Sequence, residues 1–125
     1  MRRDKRDASP LGLGLDIVEI GRVARLGRDR RFIERVFSPE EIRYCDGKKK
    51  KWQHYAVRFA AKEAVWKAIG RAGVALKDIS IARGPSGRPA VRIRGKSAPG
   101  VQVSLTHCEH YAAAAAFSFP AGRAR

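Results

Sequence analysis

Carboxylates are scarce in this chain, so the two that interrupt apolar patterns stand out. The 125 residues hold 12 Asp plus Glu against 27 Lys plus Arg, a formal net charge of +15. Asp16 follows the alternating run Leu11-Gly-Leu-Gly-Leu15, and Glu63 lies inside Arg58-Phe-Ala-Ala-Lys-Glu-Ala-Val-Trp-Lys67. Alone, Asp16 reads as a helix N-cap, a position Asp favours because its carboxylate accepts orphan N–H groups. Alone, Glu63 reads as half of an exposed i,i+4 ion pair with Lys67. Together, two carboxylates with phosphate oxygens and water completing the shell make a magnesium site. Lys67 is one turn from Glu63 on the same helix face, which sets an ammonium beside the same ligand. Arg58 and Lys62 add positive charge, with Lys62 rotated about 100° from Glu63 on an ideal helix. A diphosphate gripped between a cation and basic groups is the arrangement that phosphoryl transfer uses. His107, at the end of a strand pattern, reads by itself as a satisfied core histidine.

Several elements must position these groups. Leu11, Leu13 and Leu15 alternate with Gly12 and Gly14, a short strand that tolerates close backbone approach and ends at Asp16. Ile17, Ile20, Val23 and Ala24 follow helical spacing, so a helix is expected from Ile17. A second short helix is expected over about Asp29 to Val36. Ser38-Pro39-Glu40-Glu41 is a helix start with Ser as N-cap, Pro next and Glu at the third position, and Gly47 ends that helix. Lys48 to Lys51 reads as an exposed loop or frayed helix start. The longest helix is expected from Trp52 to Ala72, with Tyr55, Phe59, Val65 and Ile69 among many alanines. Strand patterns follow at Ile79 and Ile81, Ala90 to Ile93, Val101 to Leu105, and Tyr111 to Phe119. Pro85 to Pro89 is the turn between the first two.

The expected class is α+β, a mainly antiparallel sheet packed on one long central helix. The expected organisation is a basic arm at 1–10, a single domain at 11–120 and a tail at 121–125. Unpaired edges and the small, apolar Tyr111 to Phe119 segment point to oligomerisation.

Composition narrows the classes. A 44% hydrophobic share argues against a wholly disordered chain. No apolar run reaches the length of a spanning helix, and Met1 to Pro10 lacks the apolar stretch of a secretory signal, so the cytoplasm is the expected compartment. Cys45 and Cys108 form no metal-ligand spacing and read as ordinary thiols of a reducing compartment. His107, Cys108 and His110 are close in sequence, but strand alternation turns 107 and 108 to opposite faces. The positive charge attracts polyanions: nucleic acid, anionic lipid, phosphorylated metabolites or an acidic protein. The rival function is a small basic nucleic-acid-binding protein using the arm, Lys48 to Lys51 and the arginines on phosphates. Against it, the chain shows no RNP aromatics, zinc-finger spacing or helix-turn-helix.

Gly12-Leu-Gly-Leu-Asp16-Ile-Val-Glu-Ile20 resembles the N-terminal signature of holo-acyl-carrier-protein synthases. Phe37-Ser-Pro-Glu-Glu41 is similar to that family's short helix start, and Arg58 to Ala68 to its central F-A-x-K-E-A-x-x-K-A signature. Gly87-Arg-Pro89 resembles its G-K-P turn, and Val103-Ser-Leu-Thr-His107 its S-x-[ST]-H strand end. Ordered matches span 12–117. The resemblance implies magnesium held by Asp16 and Glu63, with Glu63 and Lys67 catalytic. It implies coenzyme A as substrate, contacted by Arg58, Lys62, Lys67, Gly87, Arg88, Pro89 and His107. A serine of an acidic acyl carrier protein, docked on the Arg22 to Arg31 region, would take the phosphopantetheine in fatty acid biosynthesis. Adenosine 3',5'-bisphosphate would leave. The base, Glu63 or a metal-bound water, stays open. A homotrimer with the coenzyme between subunits is implied, so Asp16 and Glu63 need not share a subunit with His107. Denser lysines at Lys48 to Lys51 and Trp66 in place of a smaller residue depart from the pattern.

Overall fold

The computed structural model describes residues 11–120; the expected arm and tail lie outside the described residues. Strand β1, Gly12–Glu19, pairs antiparallel with the last strand, β6, Tyr111–Ser118, in a register running from Gly12↔Ser118 to Glu19↔Tyr111. The pairing continues past Asp16, which therefore lies within the strand and not at its end. Helix α1 is Ile20–Leu26, not a helix from Ile17. Period-two alternation persists through Ile17, and the ladder satisfies backbone groups that an early helical turn would leave open. The helical spacing of Ile17, Ile20 and Val23 is overridden by that pairing.

Helix α2, Arg30–Val36, is capped by Asp29, whose side chain accepts from the Arg31 N–H. Helix α3, Pro39–Asp46, has the capping box expected from sequence: Ser38 and Glu41 bond each other's backbone N–H. Helix α4, Lys51–Ile69, stops at Gly70, whose φ of 56° is left-handed. Gly ends a helix there without the steric cost a side chain would bring, short of the expected Ala72.

A 3-10 turn, Leu76–Asp78, leads into β2, Ile79–Arg83, then β3, Pro89–Ile93, β4, Lys96–Ser97, and β5, Val101–His107. Instead of one five-stranded sheet there are two three-stranded sheets, ordered β1-β6-β5 and β2-β3-β4. The difference comes from the turn at Arg94 and Gly95, both at positive φ, which sends the chain back along β3 as β4 before β5 begins. The α+β class, the antiparallel pairing and the long central helix are as expected.

Helix α4 lies across the inner face of the first sheet. Ala60, Ala61, Ala64 and Ala68 are buried against Ala112, Ala114 and Ala116. Small residues on both surfaces let the layers approach closely, and β1 takes this to its limit. A Cβ at Gly14 would stand 1.8 Å from the Ala64 carbonyl oxygen, and one at Gly12 the same distance from that of Ala68. Helix backbone cannot step aside as a flexible side chain can. Gly14→Ala is expected to lower unfolding free energy by about 3 kcal/mol in denaturant titration, through overpacking. Both cysteines are free. Cys45 is buried, which pushes its thiol up to about 12, and Cys108 is exposed.

Candidate functional site

Two clusters carry chemistry, and they lie on different faces of α4. The first joins β1 to α4. Alternation along β1 turns Gly12, Gly14, Asp16 and Val18 inward and leaves Leu13, Leu15 and Ile17 outside. The inward set puts the Asp16 carboxyl against α4, where Lys67 reaches it. The Lys67 ammonium donates to the Leu15 carbonyl oxygen at 2.9 Å and stands 3.5 Å from Asp16 Oδ1. Lys67 thus turns to the strand, not to Glu63 as an i,i+4 partner, and Asp16 caps no helix. Asp16 Oδ2 is buried with no hydrogen-bond partner.

Glu63 is half-buried beside this pair. Burial raises its pKa above the ordinary glutamate value, and the Asp16 charge raises it further, against Lys67 and Arg22. A carboxylate pushed up by a second carboxylate is short of positive charge, and an orphaned buried oxygen next to it is short of a partner. Both deficits are met by one hard divalent cation with oxygen ligands, so the residues fit magnesium. Among the described residues no group of three or more His, Cys, Asp or Glu is placed to hold a metal. The rest of the shell would therefore come from ligand oxygens and water.

The second cluster is a basic pocket of about 220 Å³ between α3, α4, β2, the following turn and β5. Arg58 is its central cation, 8% exposed, with the guanidinium 4.2 Å from the centre of the Tyr44 ring. Its Nε is buried and unpartnered. Stacking on Tyr44 fixes the guanidinium plane, and an open N–H donor waits for an acceptor. His107, exposed at the end of β5, lies 3.3 Å from the Gln53 amide nitrogen through its Nε2. Gly87 and Pro89 border the pocket, while Arg88 lines the neighbouring groove between the two sheets.

Neighbouring groups register the positive potential. Burial lowers the pKa of His54, and Arg58, Lys48 and His107 lower it further. Burial raises the Tyr44 phenol, yet Arg58, Lys48 and Arg83 outweigh it and leave the phenol below its usual value. Such a pocket favours an anion.

Three sequence expectations are redistributed by this geometry. Lys62, expected at the coenzyme, has its ammonium in the core, fully buried and 2.7 Å from Glu41 Oε1. The 100° offset from Glu63 turns it away from the Asp16 side of the helix, toward β2. Arg58, Gly87, Pro89 and His107 come together in one pocket, and Asp16, Glu63 and Lys67 in another place. None of those three lines the pocket. Tyr44, His54 and Arg83 went unnoticed in the sequence. Arg83 is brought to the pocket by the β2–β3 register, which sets it opposite Pro89.

Comparison with known proteins decides the family. A profile of the 4'-phosphopantetheinyl transferase superfamily matches residues 12–116. The chain is 44% identical to a holo-[acyl-carrier-protein] synthase of Koribacter versatilis, over 83% of this chain and 94% of that relative. The chain belongs to the holo-acyl-carrier-protein synthase family of phosphopantetheinyl transferases. A synthase of this family from Ruminiclostridium cellulolyticum is 43% identical, over 82% of this chain and 87% of that one. A holo-(acyl-carrier-protein) synthase of Bacillus anthracis, solved in complex with CoA (3',5'-ADP), superposes with a TM-score of 0.76. It is 29% identical and is covered to 96%, against 88% of this chain. The family's enzymes are transferases, and the fold of this member is theirs.

Proposed function

We propose that this transferase moves 4'-phosphopantetheine from coenzyme A to a serine of an apo-acyl carrier protein, releasing adenosine 3',5'-bisphosphate, in fatty acid biosynthesis in the cytoplasm. The observation that carries the reading is the pair of unmet needs on α4. In the Asp16–Glu63 cluster a buried carboxylate oxygen has no hydrogen-bond partner and the Glu63 pKa is raised, and in the Arg58 pocket a buried guanidinium nitrogen has no partner either. A magnesium-bound nucleotide diphosphate meets both.

Arg58, with His107, Gly87 and Pro89 around it, would hold the coenzyme's nucleotide end and its phosphate. Asp16 and Glu63 would hold magnesium, which when bound neutralises the diphosphate oxygens. Lys67, fixed by the Leu15 carbonyl, would stabilise the charge that gathers on the departing bisphosphate as the serine oxygen attacks the pantetheine-linked phosphorus. Arg88, on the groove side of the turn, would meet the coenzyme only where a second subunit closes that groove. Arg22 and Arg25 on α1, and Arg28 after it, are exposed and make no salt bridge among the described residues, although Arg22 is near enough to Glu63 to lower its pKa. Arg30 and Arg31 are already paired, with Asp46 and Asp29. The first three are therefore the docking cations for an acidic carrier. Among the described residues no helix is long and apolar enough to cross a membrane.

The two clusters do not meet within one chain, which supports assembly as a homotrimer with each site shared between subunits. The outer face of the first sheet supplies the surface. Leu13, Leu15 and Ile17 are each about two-thirds exposed, and Phe117 sits opposite Leu13 in the register. A contiguous apolar face of this kind marks an interface. Leu15→Asp is expected to give a folded monomer in sedimentation velocity and to cut transfer at least about tenfold, since desolvating a charge opposes association. A trimer of undiminished activity from that variant would remove this assembly.

The function itself is tested by incubating the chain with magnesium, coenzyme A and an apo-carrier protein and weighing the carrier. The expected result is a gain of one phosphopantetheine. No gain, with a known transferase modifying the same carrier in parallel, would overturn the reading.

A further inference from the structure

The second sheet has an open edge. Strand β2 pairs with β3 on one side only, so the backbone groups on its other side need partners. One ion pair supplies two of them, for the Ile81 N–H and the Ile79 carbonyl. Glu41 Oε2 accepts from the Ile81 N–H at 2.8 Å. The Lys62 ammonium donates to the Ile79 carbonyl oxygen and, at 2.7 Å, to Glu41 Oε1. The same Oε1 accepts from the Ser38 N–H at 2.9 Å, and Ser38 Oγ lies 3.0 Å from Ser80 Oγ. The pair stands where a neighbouring strand would stand. It joins α3, through Glu41 and the Ser38 cap, to α4, through Lys62, and both to β2.

Those three elements are also walls of the basic pocket. Tyr44 comes from α3, Arg58 from α4 one turn before Lys62, and Ile81, Ala82 and Arg83 from β2. Ile81 belongs to both sets: its N–H is held by Glu41, and the residue lines the pocket. Both charged side chains are essentially out of solvent, and burial lowers the Lys62 pKa despite Glu41. A buried ion pair is a poor way to add stability, because an apolar pair of similar volume does as well or better. What an apolar pair lacks is directional bonds that fix an edge strand at one distance and register from a helix.

We propose that Glu41 and Lys62 form a positioning clamp for the coenzyme pocket, setting the spacing of Arg58, Tyr44 and Arg83 across it. The clamp rests on the reading of that pocket as the coenzyme site, and two independent readouts separate the two ideas. Two variants of the full chain serve: Glu41→Gln, which keeps volume and cap, and Glu41→Gln/Lys62→Met, which removes both charges. Hydrogen exchange of the Ile79 to Arg83 amides is expected to quicken at least about tenfold in both, with β1 and β6 exchanging as in the parent. The KM for coenzyme A is expected to rise about tenfold, with kcat and the KM for the carrier within about twofold.

Parent-like exchange at Ile79 to Arg83 would overturn the clamp. So would parallel losses in kcat and both KM values, which signal only a smaller folded fraction. A double variant that does not fold leaves Glu41→Gln to decide on the same readouts. Should the parent chain transfer nothing, the pocket reading fails, and exchange alone decides whether the edge of β2 is held by this pair.

Discussion

Glu63→Gln is expected to cut transfer on the order of 10³-fold in kcat while making the metal-free protein more stable at neutral pH. The loss follows from charge. Glutamine keeps the size of the side chain but offers a cation one neutral oxygen beside Asp16, whose own Oδ2 is already without a partner. The gain follows from linkage. Burial and the Asp16 charge hold the Glu63 pKa above its ordinary value in the folded chain. Between the unfolded and folded values the folded state therefore holds more protons than the unfolded state. Stability contributed by this group is present at low pH and falls as pH rises through that window. At neutral pH the carboxylate is a burden that glutamine removes.

A thermal scan without metal should thus show a higher midpoint for Glu63→Gln at neutral pH, with the difference shrinking on acidification. Added magnesium should raise the midpoint of the parent and not of the variant. The same shift sets the pH dependence of the parent's activity. Protonation competes with the cation at Glu63, so the magnesium requirement should rise as pH falls toward the raised value. A variant that transfers as well as the parent would remove Glu63 from the site.

Arg58→Met should raise the KM for coenzyme A about 30-fold with a much smaller change in kcat, because a charge-assisted contact contributes roughly 1.5–3 kcal/mol. The fold should not suffer. Arg58 Nε has no partner in the protein, so its removal strands nothing, and methionine fills the space against Tyr44. Arg58→Lys should not restore affinity, since an ammonium lacks the planar face that stacks on the ring. Steady-state kinetics, with calorimetry using adenosine 3',5'-bisphosphate, would read both effects. Unchanged affinity in Arg58→Met would place the nucleotide elsewhere.

Asp16 and Glu63 were legible because carboxylates are rare here and both interrupt apolar patterns. The geometry that joins them was not. The register of β1 against β6 placed Asp16 within a strand, and the glycines' role in seating α4 directly on it emerges only in three dimensions. The capping box at Ser38 and Glu41 was readable because its chemistry is local in sequence. Glu41's second task, holding a strand 40 residues away, was not, since that contact depends on how the second sheet docks. Lys62 shows the same limit. Its helical offset from Glu63 was plain, but whether that side of α4 faced solvent or core was decided by β2. The split into two sheets escaped the strand patterns because Arg94 adopts positive φ, which its residue type does not announce.

The central claim is that Asp16 and Glu63 together hold a divalent cation against the coenzyme diphosphate. Manganese in place of magnesium tests it through phosphorus relaxation of bound coenzyme A. The parent chain should broaden the diphosphate resonances strongly, and Asp16→Asn and Glu63→Gln should each abolish that broadening while coenzyme A still binds. Equal broadening in the parent and both variants would mean that the cation sits on other ligands, and would contradict the account.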